Sequence, residues 1–233
     1  MPAHLDAVIF DFDGVIANSE PLHFEAFGRT LADEGLSLTR DDYYARYLGY
    51  DDVGAFDAVA RDAGRHLTPE AIRTMVATKG RHMQSLMHGP EVLFPGAVAF
   101  IRACAAAVPV AICSGALRHE IVEILDAAEL RAVVPTVVAS GDTPESKPSP
   151  APYQLAFARL NSAAGGRLRA DRTVAIEDSR WGLESALGAG LRLVGVTNSY
   201  GAEALPGAEL VVSGLDTLTL SMLDEVCRVA RPH

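Results

Sequence analysis

At 233 residues, with 49% hydrophobic and 21% charged side chains, the chain has the length of one large domain or of one domain carrying a smaller insert, and a composition that disfavours disorder and repeat arrays. Twenty basic against thirty acidic residues leave a formal charge of -10, which opposes non-specific binding to nucleic acid or anionic membrane, since both need clustered Lys and Arg. Cys104, Cys113 and Cys227 have neither disulfide-framework nor zinc spacing, and neither a signal segment nor an apolar run of roughly 18 residues is present, so a protein of the reducing cytoplasm is expected, with a monomer as the default in the absence of an exposed heptad.

Six short Val- and Ile-rich runs read as strands: Ala7 to Phe10, Val108 to Cys113, Val133 to Ala139, Thr173 to Ile176, Leu191 to Val196 and Leu210 to Val212. Segments of helical period lie between most of them, which predicts an α/β chain with a doubly wound, mainly parallel sheet and ligands beyond the carboxyl ends of its strands. From about Pro21 to Met87 there is helical pattern only, interrupted by Gly35, Gly49, Gly54, Gly64 and Pro69. This predicts a helical subdomain inserted after the first strand, and the core pattern resumes at the Pro95-Gly96 turn before a helix over Ala97 to Ala107. The expected division is a core of 1–18 and 91–233 with an insert of 19–90.

The first strand ends in Asp11-Phe12-Asp13-Gly14-Val15, and in extended geometry its two carboxylates share a direction. Their repulsion calls for a shared proton or a hard cation such as Mg²⁺; the plain alternative is a solvated loop with a capping aspartate. Ile112-Cys113-Ser114-Gly115 ends a second strand with a hydroxyl before the helical stretch Leu117 to Ala128, either an anion site or an N-cap. Lys147, held between Ser146 and Pro148, presents a fixed positive charge or is simply solvated. Glu177-Asp178 closes a third strand before the helical segment Ser179 to Leu187, and helix capping explains one of these acids better than both.

Asp11-Phe12-Asp13-Gly14-Val15, Ser114 after an apolar strand, Lys147 in Ser-Lys-Pro and Glu177-Asp178, in that order, resemble the four motifs of the haloacid dehalogenase (HAD) superfamily. Asn18 to His23 and the helical insert are similar to its subgroup with an α-helical cap, which includes β-phosphoglucomutase and sugar-phosphate phosphatases. The resemblance implies an aspartyl-phosphate enzyme. Asp11 is then the nucleophile and Asp13 the general acid and base, while Ser114 and Lys147, with amides near Phe12 and Gly115, hold the phosphoryl oxygens. Mg²⁺ is implied on the Asp11 carboxylate, the Asp13 carbonyl and Asp178, with Glu177 a direct or outer ligand.

In the cap, His23 matches a histidine near the hinge that orients the acid/base carboxylate, or is a half-buried helix residue. Lys79 falls where the mutase has a substrate-facing lysine, or lies on a solvated helix face beside Arg81. Where the mutase carries an arginine that grips a distal phosphate, this chain reads Leu48-Gly49-Tyr50-Asp51-Asp52, with Arg46 a substitute only if its helix faces inward. Losing that clamp disfavours a phosphomutase and favours hydrolysis of a small sugar or organic-acid phosphate, with Tyr50 and Asp51 hydrogen-bonding a hydroxylated leaving group. A phosphoaspartate receiver needs no helical insert, a silent binding protein would not keep the whole acid, hydroxyl and lysine set, and a dehalogenase needs no metal pair. A P-loop is excluded because no glycine precedes Lys147.

Overall fold

The computed structural model describes residues 2–47, 50–86 and 92–229. The chain divides into two compact units, one of Met1–Asn18 with Gly89–His233 and the other of Ser19–His88. The expected second boundary at 90/91 lies outside the described residues, as do Leu48 and Gly49.

The first unit is a six-stranded sheet built of β1 (Ala7–Phe10), β2 (Val110–Cys113), β3 (Thr136–Val138), β4 (Thr173–Glu177), β5 (Arg192–Val196) and β6 (Leu210–Val212). Every neighbouring pair is parallel, so the sheet is parallel throughout and not merely for the most part. All six apolar runs form strands, but three are shorter than their apolar stretches, β5 by one residue and β2 and β3 by more. Pro109 and Pro135 donate no amide to a ladder, so β2 and β3 start just after them, and the amides of Val133 and Val134 turn back to the Leu130 carbonyl instead. β1, β2, β4 and β5 are buried along their whole length, as parallel strands covered on both faces must be.

The sheet order is β3-β2-β1-β4-β5-β6. The chain therefore winds outward from β1 in one direction and then, through β4, in the other. The crossovers are α5 (Ala97–Ala107), α6 (Arg118–Ala127), α7 (Ala151–Ala163) and α8 (Arg180–Gly188), with α9 (Leu220–Arg228) closing the unit. Ile9, Ala111, Ala156, Ala175, Leu183 and Leu193 pack in one cluster between sheet and helices, and the small side chains let helices approach the sheet closely. The reversal of strand order between β1 and β4 opens a crevice beyond their carboxyl ends, where a doubly wound sheet binds its ligands.

Among its described residues the second unit has helices and their connecting loops and no strand: α1 (Glu20–Asp33), the short α2 (Arg40–Asp42) running into a π-helical turn at Tyr43–Tyr47, α3 (Asp52–Asp62) and α4 (Pro69–Leu86). α1 lies against α4. Phe27, Leu31, Tyr43, Tyr47, Phe56, Val59, Ile72 and Met75 form its own core, including an aromatic pair of Phe27 and Phe56 with centroids 4.9 Å apart. No helix among the described residues is long and apolar enough to cross a membrane.

Candidate active site

Asp11 follows β1 directly, and its amide still bonds the Ile176 carbonyl of β4 at 2.9 Å, extending the ladder by one residue. Beyond it the backbone leaves extended geometry. The Phe12 carbonyl accepts the amides of Ile16 (2.8 Å) and Ala17 (2.9 Å), folding residues 12–17 into a tight turn. The Gly14 carbonyl accepts Asn198 Nδ2 at 2.8 Å, tying this turn to the loop after β5.

Lys147 reaches into the same crevice from the loop before α7. Its ammonium donates to Asp11 Oδ1 at 2.6 Å, Glu177 Oε1 at 2.6 Å and the Cys113 carbonyl at 2.9 Å, which uses its three protons on three different strand ends. Lys147 is therefore no solvated loop lysine. Burial works against its charge, but the Asp11 and Glu177 carboxylates outweigh that and hold Lys147 well above the ordinary lysine range.

Glu177 is fully buried. Its Oε1 also accepts the Tyr153 hydroxyl at 2.9 Å, and its Oε2 accepts the Asp178 amide and Ser179 Oγ, each at 3.2 Å. The cap of α8 is Ser179, whose Oγ accepts the Gly182 amide, so neither Glu177 nor Asp178 is spent on capping. The carboxylate oxygens of Asp11, Glu177 and Asp178 come within 4.8 Å of one another, all three residues being buried.

Three carboxylates facing one ammonium leave two negative charges uncompensated. Burial first, then the charge on Glu177, raises Asp11 well above the usual carboxylate range, and the same two causes push Asp178 up to about 7 against a hydrogen bond from Ser199. This repulsion is what a divalent cation with oxygen ligands relieves, so the donor set fits one. Close backbone approach makes room for these acids. A Cβ on Gly14 would stand 1.9 Å from Asp178 Oδ2, and one on Gly182 would stand 1.9 Å from the Glu177 carboxylate.

The remaining expected residues are placed unevenly. Asp13 is half-buried and lies in the turn that begins at Phe12; the three buried acids within ligand distance of one another are Asp11, Glu177 and Asp178. Phe12 itself is buried and Gly115 is exposed. Ser114 is buried and follows β2, yet it is not the helix cap: its Oγ accepts the Ala116 amide at 2.9 Å, and α6 begins only at Arg118. Tyr153, which touches both Lys147 and Glu177, was not among the residues expected from the sequence; its only local signal is an aromatic six residues after the lysine, on a helix face shared with Ala156 and Leu160.

His23, Tyr50 and Lys79 belong to the second unit. Lys79 is not on a solvated face: it is 3% exposed, donates to Asp52 Oδ1 at 2.5 Å and to His23 Nδ1 at 2.8 Å, and lies 4.4 Å from the Phe27 ring centroid. An ammonium only donates, so His23 carries its proton on Nε2. Burial and the neighbouring ammonium lower His23 to about 3, keeping it neutral. Tyr50 is exposed, while Asp51 caps α3 by accepting the Gly54 amide at 2.7 Å. Arg46 pairs with Asp62 inside the same unit.

The likeness to known proteins runs almost end to end. CbbY of Cereibacter sphaeroides is 31% identical, with 93% of this chain and 98% of that protein aligned, and the phosphorylated carbohydrates phosphatase of Thermotoga maritima is 28% identical over 95% and 100%. The crystal structure of CbbY from Rhodobacter sphaeroides in complex with xylulose-(1,5)bisphosphate superposes with a TM-score of 0.79 at 27% identity, covering 94% of this chain and 99% of that one. β-Phosphoglucomutase from Clostridium difficile, at 20% identity and a TM-score of 0.77, shares the fold. Residues 5–190 match the haloacid dehalogenase-like hydrolase family, and with the ordered strand-end acids, hydroxyl and lysine gathered at one crevice, the chain belongs to that family.

Proposed function

We propose that the protein is a Mg²⁺-dependent phosphatase that hydrolyses a small sugar or organic-acid phosphomonoester through an aspartyl-phosphate. The observation that carries this reading is Lys147 joined to Asp11 and Glu177 at 2.6 Å each, with Asp178 in the same buried cluster. Asp11 attacks phosphorus in line, and the leaving oxygen departs with the proton of Asp13. Asp13 then takes a proton from water, whose oxygen attacks the aspartyl-phosphate and frees orthophosphate and Asp11. As negative charge passes from the Asp11 carboxylate to the phosphoryl oxygens, Lys147 stays beside it, with the Ser114 hydroxyl and the amides near Phe12 and Gly115 as further donors. Mg²⁺ would be held by Asp11, Asp178 and the Asp13 carbonyl, with Glu177 adjoining, and would offset charge on the phosphate.

In this reading the core is 1–18 with 91–233, and the helical unit is a cap that selects the leaving group, with Tyr50 a contact residue and His23 and the buried Lys79, paired with each other, acting from behind. The pairing of Lys79 with Asp52 and of Arg46 with Asp62 leaves neither cation free for a second phosphate, which favours hydrolysis over mutase chemistry. The names of the relatives point the same way: a phosphorylated carbohydrates phosphatase and the phosphoglycolate phosphatase of Rhodospirillum rubrum. We place the protein in the cytoplasm as a monomer that engages neither membrane nor nucleic acid.

The test is phosphate release from a panel of sugar phosphates, a pentulose bisphosphate and phosphoglycolate, with and without Mg²⁺, alongside Asp11→Asn. β-Glucose 1-phosphate with catalytic 1,6-bisphosphate is included to detect isomerisation. Release that needs both Mg²⁺ and Asp11 is expected. Conversion to glucose 6-phosphate without net release, or release that survives Asp11→Asn, overturns the reading.

A further inference from the structure

Tyr153 is completely buried on α7, in a cluster otherwise made of apolar or small residues such as Ala7, Ile9, Ala111, Ala156, Ala175 and Leu183. Phenylalanine would serve such packing, and a hydroxyl there is tolerated only with a partner. Its partner is Glu177 Oε1, the oxygen that also receives Lys147. The Tyr153 ring adds a second contact, with the Lys147 ammonium 4.9 Å from its centroid. One side chain therefore touches both members of the pair that stands beside Asp11.

Glu177 accepts four donors in all, two on each oxygen, and Lys147 spends its three protons on Asp11, Glu177 and Cys113. In this network the hydroxyl is the member of the Oε1 pair that is carried by a helix and held by a completely buried ring. Removing it leaves the long, flexible lysine as the sole donor to Oε1.

Resting on the phosphatase reading above, we propose that Tyr153 is a positioning residue for phosphoryl transfer, its hydroxyl fixing the Glu177 carboxylate and through it the Lys147 ammonium. The hydroxyl touches no reacting atom; it acts through Glu177. Tyr153→Phe isolates this role, because it keeps the ring contact and the packing volume, whereas Tyr153→Leu removes both contacts.

Kinetics, melting and ¹⁵N NMR of the lysine ammonium are to be measured on the full chain, with the Lys147 signal assigned by its loss in Lys147→Met. In Tyr153→Phe, kcat is expected to fall about ten-fold, as for other groups that orient a site residue from behind, with KM and melting temperature near those of the parent. In a Glu177→Gln background the same change is expected to cost nothing more, since the intermediary is already altered. The slowly exchanging Lys147 ammonium signal is expected in the parent and broadened or lost in Tyr153→Phe. Equal losses in both backgrounds, or an unchanged kcat, overturn the role. A parent chain that releases no phosphate overturns the phosphatase reading, whereas an ammonium signal that survives in Tyr153→Phe overturns the positioning role whatever the activity.

Discussion

Gly14 and Gly182 lie where a methyl group would enter a buried carboxylate, and they separate two physical effects. Gly182 sits in α8, a conformation any residue adopts, so Gly182→Ala is a purely steric probe of the space taken by Glu177. Gly14 has φ +77°, so Gly14→Ala adds backbone strain of about 1–3 kcal/mol to its collision with Asp178. Both substitutions are expected to reduce phosphate release, and Gly14→Ala to lower the melting temperature more; equal melting temperatures would show that the turn at 12–17 absorbs the strain. At the same scale, Ser114 shows how a residue suited to either of two tasks is assigned. Its oxygen accepts a hydrogen bond from the Ala116 amide two residues on, which leaves the start of α6 to Arg118 and the hydroxyl's own proton for another acceptor.

α1 and α4 are joined by one buried polar knot, in which Asp52 at the start of α3 and His23 on α1 meet Lys79 on α4. Asp52→Ala leaves the Lys79 ammonium buried with one neutral acceptor. The expected loss is about 2 kcal/mol by urea unfolding, below that of a fully buried pair because the Asp52 side chain is 36% exposed. His23 supplies a pH dependence whose sign follows from linkage. Its folded value, about 3, lies below the unfolded value near 6.5, so between those limits the unfolded chain binds a proton that the folded chain does not. The stabilisation is complete above pH 6.5 and drains away as pH falls toward 3. His23→Gln lacks this loss, so the stability of parent minus variant is expected to fall from pH 7 to pH 5 in paired urea titrations; a constant difference would mean that His23 titrates normally.

For the whole molecule, three buried carboxylates meet around one ammonium, and a cation that binds there only in the folded chain stabilises it by mass action. Mg²⁺ at one hundred times its dissociation constant is expected to add about 2.7 kcal/mol, seen as a higher melting temperature that a chelator reverses and that Asp178→Asn abolishes. A melting temperature indifferent to Mg²⁺ and chelator would remove the metal from the proposal. The thiols answer at the same scale. Cys104, Cys113 and Cys227 are free, and burial pushes each up to about 12, so the native chain is expected to resist a thiol reagent near neutral pH while the unfolded chain exposes all three.

The amino-acid sequence by itself determined the six strand segments, the helical insert, the strand-end residues Asp11, Ser114, Glu177 and Asp178 and the loop residue Lys147, because periodicity, Val and Ile content and proline placement act over a few residues. Only the tertiary structure decided that β1 lies beside β4, and hence that Lys147 bonds Asp11 across 136 positions of chain. It also decided that Lys79 is buried and paired where its flanking Arg81 suggested solvent, and that Tyr153 aims its hydroxyl at Glu177. The physical reason is common to all of these: burial and hydrogen-bond partnership are properties of residues distant in the chain, fixed when tertiary packing brings their strands or helices together, and local spacing carries no record of them.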